Sequence, residues 1–157
     1  MAYALQSMLR IRTMREDRAS ADLAAARQKV RQAAQTLEER KEELREFEAT
    51  KEERRDRIYE AVMGQTLTRE ELDRVFEGVA RIDEEGALKA DNVVRANAER
   101  QKCEEGVETA RVNLNVATKN RMKIDEHRAV WLTEEAKAEE ARAEGELEDF
   151  TVRKEEI

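Results

Sequence analysis

Apolar residues recur at alternating steps of three and four along most of this chain, and no proline interrupts them. From Leu5 the stepping runs through Leu9, Leu23, Leu37, Phe47 and Ile58 to Ala61, and 12 of its 17 positions are apolar. From Val93 it runs through Val107, Leu114, Ile124 and Trp131 to Val152, with 11 of 18 apolar and a weaker last third. A repeat of seven keeps one narrow stripe turned toward a partner helix, with left-handed supercoiling absorbing the mismatch to 3.6 residues per turn. The remaining composition fits a narrow core: 43% of residues are charged and 4% aromatic, too little bulky apolar material for a broad globule. Ala, Glu, Arg and Leu dominate, and these lose least on entering a helix.

The clearest punctuation is Met63-Gly64-Gln65-Thr66-Leu67, followed by Thr68-Arg69-Glu70-Glu71. Thr68 suits the N-cap of a new helix, and Glu71 can reach back to complete a capping box. Beyond it Leu72, Val75, Phe76, Val79 and Ile82 share one helical face, with Gly78 and Gly86 as places to bend. The expected fold class is therefore all-α: two long helices in an antiparallel coiled-coil hairpin with a short helical cap at the bend. As one domain over 1–157 it divides into arm one at 3–63, a connecting cap at 64–90, arm two at 91–152 and a frayed C-terminus at 153–157. Arms of about 60 residues would each be roughly 90 Å long.

Steric and charge patterns favour a hairpin over a parallel dimer. If facing residue numbers sum to about 155, Ala26 and Ala33 oppose Trp131 and Ile124, and Leu37 opposes Ala117, so large faces small. Residues 1–31 carry seven Lys or Arg against three acids, and residues 134–149 carry eight acids against Lys137 and Arg142. A hairpin brings these segments together, whereas a parallel dimer stacks like charges.

Enzymatic and metal chemistry find no support in the residues. Cys103 falls on the seam as small filler without a second Cys for a disulfide or ligand set. His127 is the only histidine and lies one position off the seam beside Asp125 and Glu126. Carboxylate pairs are inevitable on such helices, as are ion pairs such as Glu53 with Arg57, but a two-helix rod has no cleft to shift their pKa values. No glycine-rich phosphate loop occurs, so no catalytic residue, metal or cofactor is expected. A net charge of -7 opposes nucleic acid and anionic lipid. No stretch reads as a signal peptide or a membrane span, and with the lone Cys this points to the cytoplasm. Protein partners remain. Two surfaces are candidates: the apolar cluster of Tyr59, Val62, Leu67, Leu72 and Phe76, which either packs the cap or docks a partner, and the N-terminal Met8, Ile11 and Met14, which exceed what the seam needs.

The opening Met8-Leu-Arg-Ile-Arg-Thr-Met-Arg-Glu-Asp-Arg-Ala19, a charged helix and a return helix with an acidic end resemble the YscO/FliJ-type stalk proteins of type III secretion systems. Arg-Glu-Asp-Arg-Ala at 15–19 looks closer to the virulence-system YscO branch. The resemblance implies a cytoplasmic stalk at the base of the secretion apparatus, monomeric alone and not inserted in membrane, whose own export stays open. It implies a hexameric export ATPase, the export-gate protein and substrate chaperones as partners. By likeness to the two-helix stalk of rotary ATPases, Met8, Arg10, Ile11, Arg12 and Arg15 would meet the ring. The alternative is a stand-alone coiled-coil chaperone or scaffold with no ATPase partner.

Overall fold

The structure, a computed structural model, describes residues 2–155 and the side chains of residues 2–151. It is all-helical, with two long helices packed against each other: α1 spans Gln6–Glu60 and α2 spans Arg69–Glu155. The last two positions of the C-terminus expected to fray, 156 and 157, lie outside the described residues. The helices are shared between two compact units, one built from 1–23 with 110–157 and the other from 24–109.

The second unit holds the turn. Gly64 adopts φ +77°, a left-handed backbone that only glycine takes at little cost, and Gln65 N–H donates to Val62 C=O at 3.2 Å. Thr68 then opens α2 with the capping box its sequence promised: Thr68 N–H donates to Glu71 Oε2 at 2.8 Å, and Glu71 N–H to Thr68 Oγ1 at 3.2 Å. The Thr68 N–H, then its hydroxyl, hold the Glu71 carboxyl below the usual carboxylate range.

From this turn the two segments run antiparallel. Ile58 Cδ1 lies 3.5 Å from where a Cβ on Gly78 would sit, Lys51 pairs with Asp83 at 3.5 Å, and Phe47 packs on Gly86. The Gly86 position is a hole made to measure, because an added Cβ would stand 2.7 Å from the Phe47 ring edge. Arg54 lies over the Phe47 ring, its guanidinium 5.5 Å from the centroid and 2.8 Å from Glu85. Leu37, Phe47, Val75, Val79 and Ile82 are the buried residues of this unit.

No separate helical cap covers the bend among the described residues, which corrects the expectation for 64–90. Residues 69–90 are the opening turns of α2, and Val75, Val79 and Ile82 are buried while Gly86, Lys89 and Val93 are half-buried. The same three-and-four stripe that follows Val93 therefore already runs from Val75. A longer seam hides more apolar surface than a cap would, at about 25 cal/mol per Å². Gly78 and Gly86 serve this seam as close-packing positions, not as bends.

In the unit of residues 1–23 and 110–157, Tyr3, Leu9 and Ile124 are buried together, with Leu5 and Trp131 against them. Tyr3 precedes the helix and accepts Gln6 N–H at its carbonyl, 3.1 Å. Its hydroxyl lies 2.8 Å from His127 Nδ1 and its ring centroid 5.4 Å from that of Trp131. Further along, Arg12 Nη1 donates to the Asn120 carbonyl at 2.7 Å, and Arg121 bridges Glu16 and Asp125. Here too residue numbers rise on one helix as they fall on the other.

The register differs from the one expected. Facing numbers sum to between 130 and 137 in the first unit, from Tyr3 on His127 to Glu16 on Arg121, and to between 133 and 139 in the second, from Phe47 on Gly86 to Arg54 on Glu85. The expected sum near 155 placed the bend in a cap centred past residue 75, whereas the chain reverses around Gly64. Trp131 consequently meets Tyr3, not Ala26, and Ile124 joins Leu9, not Ala33. The charge expectation shifts with it: Tyr3, just ahead of α1, meets His127 and Trp131, and every described side chain from Glu139 to Thr151 is exposed.

Candidate partner-binding surfaces

The seam consumes almost every large apolar residue placed on it, so what remains exposed is informative. All but the last of the 17 stepped positions of α1, Leu5 to Ile58, are buried or half-buried, and Ala61 in the turn is exposed. The first surface therefore consists of residues off the stripe. Met8 is 41% exposed, Ile11 50% and Met14 63%, and Arg10, Arg15 and Arg18 are exposed beside them.

Of the five residues expected at this end, Met8, Arg10, Ile11 and Arg15 share the accessible surface and Arg12 does not. Arg12 is half-buried and spends a hydrogen-bond donor on the Asn120 carbonyl. With Arg15 it also lines a shallow groove floored by Asn113, Val116, Ala117 and Asn120. Arg12 thus anchors one helix to the other, and a side chain with that task is a poor probe of partner binding. The Arg121 guanidinium nearby is held further in its charged form by Glu16 first, with Asp125 adding to it.

The second surface surrounds the turn, and the structure divides the residues expected there. Val62 and Leu67 are half-buried and line a groove with Ile58, Ala61, Gln65, Glu71, Arg74, Val75 and Gly78. Tyr59, Leu72 and Phe76 are absent from that lining and stand exposed, Phe76 at 54%. Leu72 and Phe76, four residues apart, project from one face of α2, the spacing that presents two neighbouring knobs to a partner. Leu72 and Phe76 were expected to share a face with Val75, Val79 and Ile82; they flank that buried row instead.

Sequence reasoning missed two things here. Tyr3 escaped notice because it precedes the repeat, yet its ring closes the end of the seam over His127 and Trp131. An aromatic just ahead of an amphipathic helix was the available signal. The other is the acidic end of α2: every described side chain from Glu139 to Thr151 is exposed, including Leu147 and Phe150.

Among the described residues no group of His, Cys, Asp and Glu is arranged to hold a metal ion, and no helix is long and apolar enough to cross a membrane. Cys103 is half-buried on the seam, its Sγ 3.8 Å from Glu99 Oε1.

The model of the family described as type III secretion protein YscO matches residues 5–153. Among solved structures, a chain described as a YscO homolog, CT670 from Chlamydia trachomatis, is similar in fold, with a TM-score of 0.71 at 21% identity over 98% of this chain and 93% of that one. No curated protein matches the chain.

Proposed function

The chain belongs to the YscO family of type III secretion proteins, and from that premise we propose that it is a non-catalytic coupling protein that binds the export ATPase hexamer through the start of α1. In this reading it promotes assembly or activity of the ring and links it to the export gate and to substrate chaperones, working in the cytoplasm at the base of the apparatus. The observation that carries it is the accessible row of Met8, Ile11 and Met14 edged by Arg10 and Arg15. Such a row, mounted on a helix already held by a buried seam, meets a partner without the entropy of ordering a flexible segment. Apolar centres supply affinity and the arginines orient the approach.

The exposed Leu72 and Phe76, with the Val62 and Leu67 groove beside them, supply a second contact, for gate or chaperone. That same patch is what a stand-alone chaperone or scaffold would use, so the ATPase is the discriminating partner. Arg10→Glu with Arg15→Glu should raise the concentration needed for half-maximal ATPase stimulation by about tenfold or more, the usual scale for reversing charges at an interface. Arg12 is left intact because it binds Asn120. Unchanged stimulation by the folded variant would overturn the assignment of this surface.

A further inference from the structure

Leu72 and Phe76 are the first members of a longer row on α2. From Phe76, the exposed side chains of Ala80, Asp83, Ala87, Ala90 and Val94 follow at alternating steps of four and three. A seven-residue period turns one face of a helix toward a partner helix, yet the face of α2 that meets α1 is a different one, built on Val75, Val79, Ile82, Gly86 and Val93. The row lies wholly within the second unit and is roughly 33 Å long from Leu72 to Val94 at the usual helical rise. Asp83, its one charged member, pairs with Lys51 and Arg55 of α1. Glu70, Glu77, Glu84 and Asp91 recur every seventh residue along the edge of the row, and all are exposed. Arg74, Arg81 and Arg95 stand behind that acidic edge, further round the helix, and Arg95 pairs with Asp91 at 2.8 Å.

We infer that this row receives one amphipathic helix of a partner protein, which turns bulky apolar residues toward α2 and carries Lys or Arg along the flank that meets Glu70, Glu77, Glu84 and Asp91. The inference rests on the second contact proposed above and names the chemistry of its partner. Residues beside a heptad seam select the partner by charge, and here the edge carries one sign. That sign argues against a second copy of the chain as the occupant: an antiparallel copy of the row would set Glu84 near its own equivalent and Glu77 near Asp91, like charge on like. The large side chains stand at the ends of the row, Leu72 and Phe76 at one and Val94 at the other, with alanines between them. Larger residues of an incoming helix fill the space over those alanines.

Fluorescence anisotropy on the full chain tests it with two labelled designed peptides of about six helical turns. Both carry Leu at the seam positions of a heptad, one with Lys and the other with Glu at the flanking positions. The Lys-edged peptide should bind saturably and the Glu-edged one at least about tenfold more weakly. Ala87→Arg with Ala90→Arg, which keeps helix propensity, should weaken the Lys-edged peptide by about tenfold or more. Val112→Arg with Met122→Arg adds the same charge at exposed positions outside the row and should leave its affinity unchanged. Glu77→Lys with Glu84→Lys should turn the preference toward the Glu-edged peptide. No saturable binding, equal affinity for the two peptides, or equal weakening by the two arginine pairs would each overturn the proposal. Phe76→Asp separates it from the reading it rests on: a variant that loses the Lys-edged peptide but still binds the purified export-gate domain and chaperones supports the row and defeats the second contact.

Discussion

At the scale of single residues, two glycines in one helix have opposite roles. An added methyl on Gly86 would collide with the Phe47 ring, which is 5% exposed and has Arg54 over it. At Gly106 the space is open. Replacing glycine by alanine inside a helix gains about 0.5–1 kcal/mol, and overpacking a filled seam costs about 1–3 kcal/mol. Gly106→Ala should therefore raise the thermal midpoint, while Gly86→Ala should lower it despite the identical gain in propensity. Circular-dichroism melts of the two variants decide the matter, and a rise for both would show that Phe47 moves aside freely. Neither outcome was readable from the sequence, where both positions are a glycine on a helix.

At the scale of elements, the periodic stripe told a great deal and left one quantity open. It marked which residues of α1 turn inward from Leu5 to Ile58, and the Thr68 and Glu71 pair marked where α2 begins. It could not say which inward residue meets which, because sliding one heptad past another leaves every apolar position still facing the seam. Extended up the seam, the register of Phe47 on Gly86 predicts that Leu37 faces Ala96 in the second unit, the position with the same sum. Cysteines at Leu37 and Ala96, in a Cys103→Ser background, should form an intramolecular crosslink in dilute solution. Crosslinking only between molecules, seen on a non-reducing gel, would reject the pairing.

For the molecule as a whole, two lowered carboxylates set a direction for the acid response. Glu85, hydrogen-bonded to Arg54, and Glu71, bonded to the Thr68 N–H, both have pKa values below the usual carboxylate range. The unfolded chain then binds protons that the folded one refuses, so stability rises with pH across that interval. Their contribution is full above the ordinary carboxylate pKa and is lost as pH falls through the lowered folded values. Glu71→Gln with Glu85→Gln should start less stable at neutral pH and lose less on acidification than the wild type. Equal losses in the two proteins, from melts at stepped pH, would assign the acid response to other carboxylates. The family was legible in the Arg-Glu-Asp-Arg-Ala opening and the model match over residues 5–153 agrees; the surfaces were legible only in part, since exposure depends on the partner helix. Arg12 shows why: by sequence it belongs with Arg10 and Arg15, and only its hydrogen bond to Asn120 removes it from the accessible set.

The sequence by itself determined an all-helical chain, a break at Gly64 and the identity of the seam residues from Leu5 to Ile58, because helix propensity, a left-handed turn and a seven-residue period are local properties. Only the tertiary structure decided that the cap is the start of α2, that Phe47 sits on Gly86, and that the acidic end of α2 extends past Tyr3. A repeat looks the same after every seven residues, so its energy is nearly equal in several registers. The choice among them rests on unique contacts, a ring over a glycine and a bend of fixed length, which exist only once the two helices have met.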